Sequence, residues 1–101
     1  MPRREQLEKM LESDQDDVFL NYALAMALLS DGDSRAGIER LQRVIELDPN
    51  YVPAYFQQGQ ALAREGQIDE ARGIVSRGIE TAKRVGDTHA ETEMTGFLES
   101  L

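Results

Sequence analysis

Along most of this 101-residue chain, apolar residues recur at intervals of three and four. That spacing gathers them on one side of an α-helix. The stretch DDVFLNYALAMALLSDG carries Phe19, Tyr22, Ala23, Met26, Ala27, Leu28 and Leu29 in this pattern. Asp16 or Asp17 is placed to cap its start, and Asp31-Gly32-Asp33 to end it. A second helix is expected over SRAGIERLQRVIEL, with Ile38, Leu41, Val44, Ile45 and Leu47 on its apolar side and Asp48-Pro49-Asn50 as its stop. A third runs from about Val52 to Arg64, with Asn50 as a candidate cap and Pro53 in the first turn, where a missing N–H costs little. A fourth is expected from about Ile68 to Arg84, with Ala71, Ile74, Val75, Ile79 and Ala82 facing inward and Gly86-Asp87 closing it. Two more helices flank these. REQLEKMLES brings Leu7, Met10 and Leu11, and THAETEMTGFLESL brings Ala90, Met94, Phe97, Leu98 and Leu101 behind a Thr88/Glu91 capping-box pattern.

The four central helices are two copies of one unit. Shifted by 34 positions, Val18 falls on Val52, Tyr22 on Phe56, Ala27 on Ala61, Leu28 on Leu62 and Gly32 on Gly66. Arg43 likewise falls on Arg77, Ile45 on Ile79 and Glu46 on Glu80, while Ile38 meets Arg72 and marks divergence. A period of this length signals stacked helical hairpins. The expected architecture is all-α: a right-handed α-α superhelix of about six helices in one domain. Its parts would be an N-terminal half-repeat helix (1–15), repeats over 16–50 and 51–85, and a capping helix (86–101) over the end of the stack. Gly37, Gly59 and Gly78 fall inside helices, where close approach of a neighbouring helix would explain them; Gly73 has no such explanation.

The quoted residues resemble the tetratricopeptide repeat, in the form of small bacterial-type members of that family. The family places small residues at the eighth, twentieth and twenty-seventh positions of its unit and larger ones at the fourth, seventh, eleventh and twenty-fourth. Tyr55, Gly59, Leu62, Ala71, Val75 and Gly78 match in the second copy, and Leu24, Ala25, Leu28, Gly37, Leu41 and Pro49 in the first. Gln58 stands where Leu is usual, Asn21 where an aromatic is usual, and Val44 where a small residue is usual. The resemblance implies a concave face, formed by the first helix of each repeat, that holds a partner peptide or helix. By position that face comprises Phe19, Tyr22, Met26 and Leu29, with Phe56, Gln57, Gln60 and Arg64 from the second copy. Met and aromatic side chains suit adaptable recognition of apolar groups. Two readings stand for this stripe. It is an open groove, or it is packed under Leu7 and Met10 or under the C-terminal helix. The family's chaperone-binding members clamp a carboxylate with Lys, Asn and Arg. Here Tyr22, Met26, Gln57 and Arg64 occupy the corresponding places, so a clamp of that kind is not expected.

Composition narrows the function. The chain has no Cys, which removes disulfide, thiolate-metal and Cys-nucleophile chemistry and fits a reducing compartment. A formal net charge of −8, without a dense basic stripe, argues against nucleic acid and against an anionic membrane surface. The acidity reads as a solubilising surface, with a basic partner or a high-salt cytoplasm as sharper alternatives. The opening MPRREQLEKM has no apolar run, and Ala23–Leu29 is too short to span a bilayer, so a cytoplasmic protein is expected. His89 is the sole histidine; Glu93, four residues on, offers one carboxylate, whereas catalytic zinc takes three protein ligands. Asp31-Gly32-Asp33 begins like a calcium loop, but Arg35 and Ala36 stand where an oxygen ligand and a glycine are needed. The expectation is a non-enzymatic protein-interaction or scaffolding module for a protein or peptide partner, with no cofactor and no metal. A homodimeric or other homo-oligomeric assembly component is the alternative, and a metal-dependent activity at His89 a remote one.

Overall fold

The computed structural model describes residues 2–101, which form six α-helices and no strand. In chain order they are α1 (Arg3–Ser13), α2 (Val18–Ser30), α3 (Ser34–Leu47), α4 (Val52–Arg64), α5 (Ile68–Val85) and α6 (Thr88–Ser100). The segments 14–17, 31–33, 48–51, 65–67 and 86–87 join them. Links this short make consecutive helices antiparallel neighbours. The stack measures 39 × 29 × 18 Å, so its thinnest dimension is about two helix diameters.

The turns explain why the helices stop where they do. Gly32, Gly66 and Gly86 all have φ of 80–84°, the left-handed region open to glycine. Behind each, two amides turn back onto the helix: Gly32 N to Leu29 O and Asp33 N to Leu28 O, with the same pattern at Gly66-Gln67 and Gly86-Asp87. This pair of hydrogen bonds satisfies carbonyls that the helix end would otherwise orphan. At the starts, Asp17 accepts from Leu20 N at 2.8 Å, Asp33 from Ala36 N at 3.4 Å and Asp87 from Ala90 N at 3.0 Å. Two expected caps are corrected. α6 is capped by Asp87 rather than by a Thr88 capping box. Asn50 does not cap α4, because its side chain accepts from Arg84 instead.

Three helical glycines mark the tight crossings. A Cβ on Gly59 would overlap Val75 Cγ2, bringing α4 and α5 together. A Cβ on Gly37 would lie 2.6 Å from Leu29 Cδ2. One on Gly78 would lie 2.7 Å from both Tyr55 Cβ and Met94 Sδ, so a single position seats α5 against α4 and α6. Beyond its chain neighbours and its own helix backbone, no described atom lies within 4 Å of a Cβ on Gly73, and the structure supplies no packing reason for it. The main core gathers Leu41, Val44, Tyr55, Val75 and Met94 from α3 to α6. A second cluster seats Leu7 and Leu11 of α1 on Leu20, Ala23, Leu24, Ala27 and Leu28 of α2. Each buried Leu, Val or Met side chain contributes about 1.5–3 kcal/mol of transfer free energy. Met10 was expected to face inward with them but is 54% exposed. Leu7 and Leu11, four apart, set the buried side of α1, and Met10 falls past its edge.

Candidate partner-binding face

Helices α2, α4 and α6 carry the apolar stripe, and side chains from the connecting segments knit it together. Tyr22 of α2 lies with its ring centroid 5.1 Å from that of Tyr51, which sits in the turn before α4. Phe56 of α4 meets Phe97 of α6 edge to face, with centroids 5.7 Å apart. Such tilted pairs place a ring edge against a ring face and add to the burial they bring. Phe19, three residues before Tyr22 on α2, stays 66% exposed. Met26, one turn beyond Tyr22, is half-buried and opens on a hollow of ≈ 280 Å³ that also touches Arg3 and Arg4. Along α4, Gln57 and Gln60 are half-buried, and Arg64 is exposed in the last turn, where a cation suits the helix dipole. Leu29 is half-buried and turned toward Gly37, against the main core.

The two readings of the stripe thus divide along its length. α1 does not cover Phe19 or Tyr22; Leu7 packs into the other cluster and Met10 is exposed. α6 does cover part of Phe56 through Phe97. What stays open is the α2 end, with Phe19, Tyr22 and Met26. Burial of the Tyr22 hydroxyl, followed by the nearby Tyr51, raises the Tyr22 pKa above its ordinary value of 10.0. Tyr51 was missed from sequence because it precedes its helix, outside the three-and-four spacing. Phe97 was read only as part of a cap, although it belongs to the same surface.

The remaining sequence candidates lie elsewhere. His89 is exposed and pairs with Glu93 at 3.0 Å on α6. Among the described residues, no group of three or more His, Cys, Asp or Glu is arranged to hold a metal ion. Asp31 and Asp33 act at helix ends, the latter also 3.8 Å from Arg4. Among the described residues, no helix is long and apolar enough to cross a membrane.

Two tetratricopeptide repeat models match the chain, over residues 20–51 and 41–73. A TPR repeat-containing protein of Pseudomonas aeruginosa is 39% identical over 97 residues, covering 96% of this chain and 92% of its own. The chain belongs to the tetratricopeptide repeat family. Its six helices are the superhelix of that family, and its fold is that of a protein-interaction module. The solution structure of a Bordetella parapertussis protein is 26% identical and superposes with a TM-score of 0.87, covering 99% of this chain and 87% of that one. The crystal structure of PcrH in complex with the chaperone binding region of PopD reaches a TM-score of 0.90 at 14% identity, over 96% of this chain and 74% of that one. At that identity the likeness is one of fold.

Proposed function

We propose that this tetratricopeptide repeat protein is a non-enzymatic interaction module that holds an apolar segment of a protein partner on the α2–α4 face. Phe19, Tyr22 and Met26 receive the apolar side chains. Phe56 and Leu29 back the floor. Gln57 and Gln60 offer amide donors and acceptors to the segment's backbone, and Arg64 closes the far rim. The observation that carries this reading is the exposure of Phe19, 66%, beside half-buried Tyr22 and Met26. An exposed aromatic ring continuous with partly open apolar neighbours is the kind of patch that interaction surfaces present. The PcrH complex supports it by analogy, since a chain of the same fold holds a peptide region of another protein.

Tyr22→Glu places a charge in the middle of the open patch. It should abolish capture of the partner from the native lysate while leaving the helical circular dichroism unchanged; undiminished capture overturns the assignment. A second copy of the chain is the competing occupant of the same face. Sedimentation over a range of concentrations separates the two, because self-association grows with concentration and partner binding does not require it.

A further inference from the structure

Two surface grooves, each edged by arginine, lie one repeat apart. Gln15, Asp16 and Arg43 line the first, a hollow of ≈ 370 Å³. Pro49, Tyr55, Arg77 and Arg84 line the second, of ≈ 430 Å³. Gln15 and Pro49 are equivalent by the 34-residue shift, and so are Arg43 and Arg77. Their charge balance differs. In the first groove Arg43 Nη2 donates to Asp16 Oδ1 at 2.8 Å, and Glu46 lies 3.8 Å from its other terminal nitrogen. In the second, Asn50 takes the place of Asp16. Its Oδ1 accepts from Arg84. Arg77 rests 5.6 Å from the Tyr55 ring centroid, and among the described residues it has no ion-pair partner. Glu80, on the same wall, pairs with Lys83 at 3.8 Å. Its equivalent Glu46 shares Arg43 with Asp16, so an acid at this place is compatible with a second carboxylate on the arginine.

We infer that the groove beside Tyr55 receives an acidic peptide segment, one carboxylate binding Arg77 as Asp16 binds Arg43 and a second reaching Arg84. A guanidinium already held over a ring face keeps its donor edge free for a carboxylate. The two arginines are seven positions apart on α5, about 10 Å along the helix axis. A polyproline II chain rises about 3.1 Å per residue with three residues per turn, so side chains three apart lie on one side about 9 Å from each other, and the fitting pattern is two acids with two residues between them. The acidic surplus of the protein does not sit here. Residues 1–33 hold three basic and eight acidic side chains, whereas 77–85 hold Arg77, Lys83 and Arg84 against Glu80 alone. None of the groove's lining belongs to the apolar α2–α4 face, so this site stands or falls separately from it.

The test is an NMR titration of the full chain with an end-blocked peptide carrying two glutamates separated by two neutral residues. The expected result is a set of shift changes centred on Tyr55 and Ser76 to Arg84. Arg77→Gln should weaken binding about fivefold, the scale of one exposed ion pair. Asn50→Asp should do the same by supplying the missing carboxylate from within, with helical circular dichroism unchanged in both variants. A peptide with glutamines in place of the glutamates should leave the spectrum unmoved. Shift changes centred elsewhere, wild-type binding by Asn50→Asp, or inorganic phosphate giving the same map and displacing the peptide at equal concentration would each overturn the inference.

Discussion

Asn21 and Tyr55, equivalent positions one repeat apart, tether equivalent carbonyls: Asn21 Nδ2 donates to Gln15 O at 2.9 Å, and Tyr55 Oη to Pro49 O at 2.6 Å. A short amide and a long phenol thus make the same connection between a turn and the helix after it. Asn21 makes two further bonds, to Asp17 O at 2.8 Å and from Arg40 Nη1 at 2.8 Å. The volume difference is absorbed across the interface. Gly78 leaves room for Tyr55, and its equivalent, Val44, is larger where Asn21 is smaller. By equivalence to Tyr55 and Gly78, the two departures of the first copy from the family pattern read as one paired change.

Exchanging them should show the pairing. Asn21→Tyr alone forces a ring toward Val44 and should destabilise the protein by about 1–3 kcal/mol. Adding Val44→Gly should return part of that loss, giving a coupling of at least about 0.5 kcal/mol in a double-mutant cycle followed by urea unfolding. Strict additivity would separate the two positions.

The glycines should divide by what surrounds them. Gly59→Ala drives a methyl into Val75 and should cost about 1–3 kcal/mol. Gly73→Ala meets open space within a helix and should gain up to about 1 kcal/mol. Thermal melts resolve this, since about 1 kcal/mol moves Tm by roughly 4–8 °C in a domain of this size.

Gln58 is buried between α3 and α4 with its Oε1 unpartnered among the described residues. Its Nε2 reaches Ile38 O and Gln42 Oε1 at 3.4 Å each, long contacts that contribute little. Replacing the amide with the leucine usual at this place removes the desolvation cost of an unpaired group. Gln58→Leu should therefore raise stability by about 1 kcal/mol in urea unfolding. A loss would show that the long contacts matter more than the orphaned oxygen.

The raised Tyr22 pKa carries a definite sign. Burial favours the neutral phenol in the folded chain, so the folded protein holds that proton more tightly than the unfolded chain does. The resulting stability is fully present below the ordinary value of 10.0 and is lost as pH rises through the higher folded value. Urea unfolding above pH 10 should show a decline that Tyr22→Phe reduces.

Most of the fold was legible because repetition tests each expectation twice. Gly32 and Gly66 recur at the period, and so do the apolar sides of α2 and α4, which is why the turns and the helix order could be read directly. The misreadings arose where a side chain had a choice of partners. Asn50 looks like a cap until Arg84 claims its oxygen. Thr88 looks like one until Asp87, one residue earlier, takes the bond from Ala90 N. The binding face was legible along α2 but not at its seams. The positions of Tyr51 and Phe97 depend on how a turn and the C-terminal helix lie against α2 and α4, which no local spacing encodes. The unpaired state of Arg77 was likewise hidden, because it follows from Asn50 lacking the charge that Asp16 has.

The most direct test of the interaction face is site-specific photocrosslinking. A photoreactive phenylalanine analogue at Phe19 should give adducts with a partner, distinct in mass from two joined copies of this chain, while the same group at the exposed Glu99 of α6 should give none. Equal labelling from both positions, or none from Phe19 in the native lysate, would contradict an open apolar binding face on α2.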